Sequence, residues 1–158
     1  MDTQILIGLL LTILPLTELR GGLPVIIEYV TRNNLSIWPY FLLVLILNIL
    51  VIFVIFFFLD HLHNFFMKSR AYSRLIGYYL KRIEKKSEKI SKKVGIWEYV
   101  ALMLFVAVPL PLTGAWTGCF VAWFLGLDRL KSIIAISLGV TIAGIIILVT
   151  FLGFFAVF

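Results

Sequence analysis

The sequence predicts an all-α integral membrane protein built as an inverted-topology repeat. Each half is read as a re-entrant helical hairpin plus one transmembrane helix, and a basic amphipathic helical arm joins the halves. Three observations carry this expectation. First, 62% of the 158 residues are hydrophobic and 14% are charged, with a mean hydropathy of +1.09. A soluble domain is about 45–50% apolar and about 25% charged, so the excess must face lipid. Second, two apolar segments are interrupted by residues that an ordinary span avoids. One is Glu18-Leu19-Arg20-Gly21-Gly22-Leu23-Pro24; the other is Pro109-Leu110-Pro111-Leu112-Thr113-Gly114-Ala115-Trp116-Thr117-Gly118. Third, Leu14 to Gly22 aligns on Leu110 to Gly118 with five of nine positions identical, at a constant offset of 96. In both halves that motif is followed by a whole apolar span, which makes a duplication the better reading than chance.

Taken in order, the chain opens Met1-Asp2-Thr3-Gln4. With no basic region and no small-residue cleavage pattern, this is not expected to be a signal peptide; an acidic, cation-free start suits a translocated N-terminus. Residues 5–31 are expected to form the first re-entrant hairpin. A helix over residues 4–30 would reach about 40 Å, but Pro15, Gly21, Gly22 and Pro24 interrupt it. The unbroken part, Ile5 to Leu16, spans only about 18 Å against a hydrocarbon core of about 30 Å. Gly21, Gly22 and Pro24 are placed at the hairpin tip, with Leu23 to Val30 as the return arm.

A polar loop, Asn33-Asn34-Leu35-Ser36, precedes a transmembrane helix over residues 37–59. Pro39 suits its first turn. Asn48 interrupts the apolar run and is expected to face protein, since an amide in lipid lacks partners. Residues 60–96 then hold ten cations against Asp60, Glu84 and Glu88, a net +7, so the rest of the chain sums to −1. Apolar residues recur there at helical spacing, which predicts an amphipathic arm on the cytoplasmic membrane surface. Lys81, Arg82, Lys85, Lys86, Lys89, Lys92 and Lys93 are its candidate contacts with anionic lipid. Such a segment between apolar spans speaks for membrane orientation rather than nucleic acid.

Residues 97–127 repeat the first pattern: an apolar arm, a tip with Pro109, Pro111, Gly114 and Gly118, and an apolar return. Asp128 to Lys131 reads as a charged loop and residues 131–157 as the last span, where Ala135, Gly139 and Ala143 form a small-residue ridge for close packing. Four ordinary spans are the rival topology. Charge separates the two: re-entrant hairpins put Arg129 and Lys131 on the face of the basic arm, whereas four spans put them opposite, beside Arg32. The positive-inside rule favours the hairpins, with both termini outside.

Glu18 and Arg20 are the chief candidate site residues. Each charge at mid-helix costs about 2.5–3.5 kcal/mol on insertion scales, so a role is expected. Two residues apart on a helix they point away from each other; in a turning segment they share a side. Two readings stand: a structural pair or groups bonding exposed backbone at a hairpin tip, or Arg20 holding an anion while Glu18 exchanges a proton. Thr113 or Thr117 is expected to cap a half-helix starting near Ala115, whose free N–H groups suit a phosphate or carboxylate. Trp116 either walls the site or packs. Glu28 and Arg32, four apart, are expected to pair at the surface. Asp60, His61 and His63 give at most a faint metal pattern, and no metal, cofactor or catalytic residue is expected. No nucleophile–base set, Walker loop or dinucleotide fingerprint occurs, so the protein is not read as an enzyme.

At the two motifs the sequence resembles the small multidrug export protein family, a relative of the DedA (VTT-domain) superfamily. The family pattern E-L-R-G-x-x-P is matched by Glu18, Leu19, Arg20, Gly21 and Pro24. Its P-L-P-G-T-G-A-W-x-G pattern is matched by Pro109, Leu110, Pro111, Thr113, Gly114, Ala115, Trp116 and Gly118, while Leu112 stands where glycine is usual. The resemblance implies opposed re-entrant hairpins and transport of lipid carriers such as polyprenyl phosphates. The expected function is therefore a DedA-like, proton-linked transporter or flippase for an amphiphilic, anionic substrate. The alternative is a non-transporting scaffold whose basic arm binds anionic lipid or a partner protein. Expected partners are membrane lipids and an amphiphilic or lipid-linked substrate; a homo-oligomer is compatible with the sequence, and nucleic acid is not expected. The expected location is the plasma or inner membrane, multi-pass.

Overall fold

Two long apolar helices frame the fold seen in the computed structural model, which describes residues 3–67, 95–110 and 113–157. In chain order the helices are α1 (Thr3–Ile13), α2 (Glu18–Arg32), α3 (Ile37–Met67), α4 (Ile96–Ala107), α5 (Ala115–Phe124) and α6 (Arg129–Val157). No strand occurs among the described residues.

Length separates the helices into two kinds. Ile37–His61 of α3 and Arg129–Phe154 of α6 are long and apolar enough to cross a membrane. Their 25 and 26 residues rise about 37–39 Å, more than the hydrocarbon thickness of about 30 Å. By contrast α1, α2, α4 and α5 have 11, 15, 12 and 10 residues, about 15–22 Å, and none reaches across alone. The two long helices carry exposed Leu, Ile, Val and Phe at positions such as Leu42, Ile46, Phe53, Phe57, Ile134, Leu138 and Ile145, the surface that lipid would solvate.

The first pair of short helices packs antiparallel. A Cβ added at Gly22 would lie 2.1 Å from Thr12 Oγ1 and 2.3 Å from the Gly8 carbonyl, and one added at Gly8 would meet Ile26. The helices approach this closely because both contact points lack side chains. The turn between them is Leu14–Thr17, closed by Glu18 N–H to the Leu14 carbonyl at 2.9 Å and by Thr17 Oγ1 to the Leu11 carbonyl at 2.6 Å. Gly21, Gly22 and Pro24 therefore lie inside α2, not at the tip where the sequence reading put them. The glycines serve helix approach rather than chain reversal, and Pro15 occupies the turn.

The second pair, α4 and α5, faces across Val106 and Gly118. The N–H of Asp128 donates to Tyr99 Oη at 3.2 Å, so the start of α4 and the end of the α5 segment come together. Asp128 caps α6, its Oδ1 accepting from Lys131 N–H at 3.0 Å. Helix thus begins at Arg129, within what reads from sequence as a charged loop. Likewise α3 continues unbroken past residue 59 to Met67; the basic arm from Lys68 through Val94 lies outside the described residues, as do Pro111 and Leu112.

The core is shared. Leu19, Leu23, Ile26, Ile27 and Val30 of α2 bury against Val44, Ile52 and Ile55 of α3 and against Val106, Cys119, Ile136 and Val140. The return helix of each pair packs on the long helix of the other half, α2 on α6 and α5 on α3. Gly139 on the small-residue ridge lets the Met103 carbonyl approach, with 2.6 Å to an added Cβ. Asn48 is 1% exposed and faces protein, as its amide requires.

Candidate functional site

Glu18 and Arg20 project from the first turn of α2 into the gap where the α4–α5 connection folds back. Their partners all come from the other half of the chain. The Glu18 carboxylate accepts from the first two N–H groups of α5, Oε2 from Ala115 at 2.9 Å and Oε1 from Trp116 at 3.0 Å. These are orphan donors at a positive helix end, where a carboxylate is favoured by hydrogen bonding and by the dipole together. Glu18 is 7% exposed and adopts φ +48°, the left-handed region that a non-glycine residue enters only under strain. Strain at a charged side chain holding a remote helix end marks this residue as functional or as a lock.

Arg20 binds the complementary end. Nη2 donates to the carbonyls of Val108 (2.9 Å), Thr113 (3.0 Å) and Val106 (3.1 Å), and Nη1 donates to the Leu110 carbonyl. These oxygens belong to the last turn of α4 and to the connection after it, where carbonyls lack helical partners. A planar guanidinium is suited to several acceptors at once. The two charges of α2 therefore cap two opposed half-helices, the anion on a positive end and the cation on a negative one. They do not form an ion pair with each other; the pairs among the described residues are Glu28–Arg32, at 2.9 Å, and Asp60–Arg129. The surface pair Glu28–Arg32 is the one its i,i+4 spacing predicts.

The remaining sequence candidates divide. Trp116 Nε1 donates to the Ile13 carbonyl at 3.2 Å, so the second half also caps the first helix of the other half. Thr113 Oγ1 bonds the carbonyls of Val108 (2.8 Å) and Leu110 (2.9 Å), and Thr117 Oγ1 bonds the Gly114 carbonyl at 3.1 Å. Neither hydroxyl caps α5, contrary to the sequence reading, because the Glu18 carboxylate already takes the N–H groups. Pro109 lies in the α4–α5 connection and Gly118 within α5, against Val106. Gly114, the residue before α5, is where the halves touch: a Cβ there would sit 1.4 Å from Glu18 Oε2. Glu18 and Gly114 are themselves related by the offset of 96.

One site residue, Asn48, escapes a reading based on charge and turns. Asn48 of α3 borders the same gap, lining with Glu18, Arg20 and Gly114 a void of about 10 Å³. Arg129 pairs with Asp60 and lies over the Phe56 ring, 5.3 Å from its centroid. Asp60 is thus engaged by a cation, His61 stacks on Phe57, and no group of three or more His, Cys, Asp or Glu suited to a metal occurs among the described residues. The signal for Asn48 was present, a lone amide in a 25-residue apolar helix; its partner was not.

Fold, hydropathy and site together define a helical membrane protein in which two short-helix pairs interlock through backbone capping. The family follows from the comparison with known proteins. A family model described as "Putative small multi-drug export protein" matches residues 18–146, from Glu18 through both motifs, and the chain belongs to that family. The family name points to small-molecule export at a membrane. No curated protein and no solved structure matches the chain.

Proposed function

We propose that this protein is a DedA-like, proton-linked transporter or flippase that moves an amphiphilic anion through a midplane site between two re-entrant hairpins. One observation carries the reading: a buried carboxylate occupies the N–H groups of α5, which are equally a site for a phosphate or a substrate carboxylate. Protonation of Glu18 weakens its hold on that helix end, because a neutral acid is the poorer acceptor. The freed N–H groups, with Arg20 adjacent, then present an anion site. Deprotonation restores the Glu18 cap and displaces the anion. The void of about 10 Å³ holds no more than a water, so the α2 and α5 ends must separate to admit substrate. That separation is the alternating step common to inverted-repeat transporters.

Several features support the membrane arrangement. The Asp60–Arg129 pair holds the polar end of the α3 span beside the start of α6, on the face where the basic arm departs. Four ordinary spans would put residue 129 on the other face. The Tyr99–Asp128 contact, the short helices, and the reciprocal packing of α2 on α6 and α5 on α3 agree with hairpins that enter and leave on one side. By the positive-inside rule that face is cytoplasmic, with both termini outside the plasma or inner membrane. An apolar groove of about 420 Å³ between α4 and α6, with Lys131 and Tyr99 on its wall, suits an acyl chain bearing an anionic head.

Liposome translocation of a polyprenyl or phospholipid phosphate tests the function. Glu18→Gln and Arg20→Ala, inserted at normal levels, are expected to lose transport; unchanged transport by both refutes the reading. Topology is tested with single cysteines at positions 34, 87, 129 and 158 in a Cys119→Ala background. Labelling of position 129 from the face opposite position 87 overturns the hairpin arrangement. A scaffold is the second reading, favoured by the bonding of both Glu18 oxygens and both Arg20 Nη groups to protein backbone. Under it, neutralising Lys81 to Lys93 abolishes function while changes at Glu18 and Arg20 affect stability alone.

A further inference from the structure

Asn48 carries a buried atom that this arrangement leaves without a role. Its Nδ2 donates to the Thr12 carbonyl at 3.1 Å, and Thr12 in turn bonds the Gly8 carbonyl, so the amide is held by the first hairpin. That bond sets which way the amide points, because a flipped amide would bring two acceptors together. Oδ1 is left with no hydrogen-bond partner, on a side chain 1% exposed. A buried carbonyl without a donor is a standing penalty and calls for an explanation.

The explanation lies across the small void. Asn48, Glu18, Arg20 and Gly114 share its wall, and the remaining wall is apolar. At about 10 Å³ the void is near the minimum for one water, and Asn48 and Glu18 both line it. In the bonding observed, Glu18 is an acceptor only, with both oxygens receiving backbone N–H groups. Arg20 directs its Nη groups at the carbonyls of Val106, Val108, Leu110 and Thr113, and no donor of it bonds Oδ1. The thiol of Cys119 on α5 is turned to the Ile52 carbonyl, at 4.0 Å. The charged groups of α3, α4 and α6 (Asp60, Glu98, Arg129 and Lys131) lie two or more turns from the residues lining the void. Protonation creates the one missing component: a carboxylic O–H, which is a donor in need of an acceptor.

We propose that Asn48 Oδ1 is the acceptor for the proton on Glu18, reached directly or through one water, and that Asn48 is the positioning residue for proton uptake. This rests on the proton-linked reading of Glu18. A proton from solvent binds one carboxyl oxygen, and the resulting O–H donates to Asn48 Oδ1. The Ala115 and Trp116 N–H groups lose their anionic acceptor at the same step. Deprotonation reverses both changes. The orphan acceptor is thus the counterpart of the capped helix end: each of the two Glu18 states satisfies one of them.

The test uses the full chain in nanodiscs, with the Glu18 carboxyl carbon followed by NMR across pH and assigned by its absence in Glu18→Gln. In the wild type the Asn48 side-chain carbonyl is expected to shift with the same midpoint as Glu18. Asn48→Leu and Asn48→Ser both lose the Thr12 bond, but serine keeps an acceptor. Leucine should weaken proton binding about three- to tenfold, lowering the midpoint by about half to one pH unit, and serine should shift it less. Equal shifts in the two variants, or none, overturn the inference. So does a wild-type Asn48 signal indifferent to Glu18 titration, a measurement that needs no variant to fold. A Glu18 that never titrates while transport proceeds overturns the proton-linked reading itself.

Discussion

Replacing Gly114 with alanine tests the contact between the two halves with a single methyl group. Gly114 has φ −94° and ψ −158°, extended backbone open to any residue, so the substitution adds no conformational strain. Its effect is steric: the new Cβ would fall 1.4 Å from Glu18 Oε2 and 2.2 Å from its Cδ. The carboxylate must leave the end of α5, and Ala115 and Trp116 lose their acceptor. Hydrogen bonds to a charged group contribute about 1.5–3 kcal/mol each, which sets a ceiling of about 6 kcal/mol for the pair. Water reaching the half-buried Trp116 recovers part of this, so a loss of about 3 kcal/mol is expected. That corresponds to a fall in Tm of about 6–12 °C on the scaling for chains of this length. The readout is built in: Cys119 is the single cysteine, is fully buried, and follows Gly114 by five residues, so a thiol-reactive dye reports unfolding at the site. In a Glu18→Ala background the obstruction is gone, and Gly114→Ala should then cost below about 0.5 kcal/mol, a coupling that a double-mutant cycle isolates. Equal costs in the two backgrounds would refute the reasoning, because the methyl would then be sensing something other than Glu18.

The other predictions use the same unfolding assay. Arg20→Lys keeps the charge but loses the planar fork over four carbonyls, and should destabilise by about 1.5–3 kcal/mol. Gly22→Ala should cost more than Gly8→Ala, because its methyl meets backbone at 2.3 Å, the Gly8 carbonyl, whereas the other meets the Ile26 side chain at 2.5 Å and backbone only at 3.2 Å. Gly126 has φ +66° with nothing within 4 Å of an added Cβ, so Gly126→Ala should cost only the backbone preference, about 1 kcal/mol. Asp60→Asn should change stability by less than about 1 kcal/mol, since the Arg129 pair is 38–49% exposed.

Some elements were legible because their cause is local. The long helices follow from uninterrupted apolar runs, and Pro39 falls in the first turn of α3, where a missing N–H is harmless. Asn48 turned inward for the reason any amide in lipid must. The interruptions of the segments around residues 14–24 and 107–114 were also legible, although the position of the first turn was not. Glycine and proline mark chain reversal in water-soluble chains, which placed the tip at Gly21–Pro24. In a membrane protein glycine equally marks close helix contact, and only the α1–α2 packing decides between the two. The cap of α5 was misread for a related reason. Thr113 and Thr117 are the local candidates, but a carboxylate 97 residues away outcompetes a hydroxyl at a positive helix end.

What the sequence determined by itself is the class and the irregularity: a lipid-facing helical chain, two helices long enough to cross, and two broken segments related by a repeated motif. Lipid enforces composition residue by residue, so composition alone carries that information. What only the tertiary structure decided is the use of the two charges. Glu18 and Arg20 bind backbone of the opposite half, 86 to 98 residues along the chain, and Asn48, with its orphan oxygen, lines one small void with them. No local pattern encodes those partners, because main-chain N–H and C=O groups are common to every residue and become distinctive only where a helix ends.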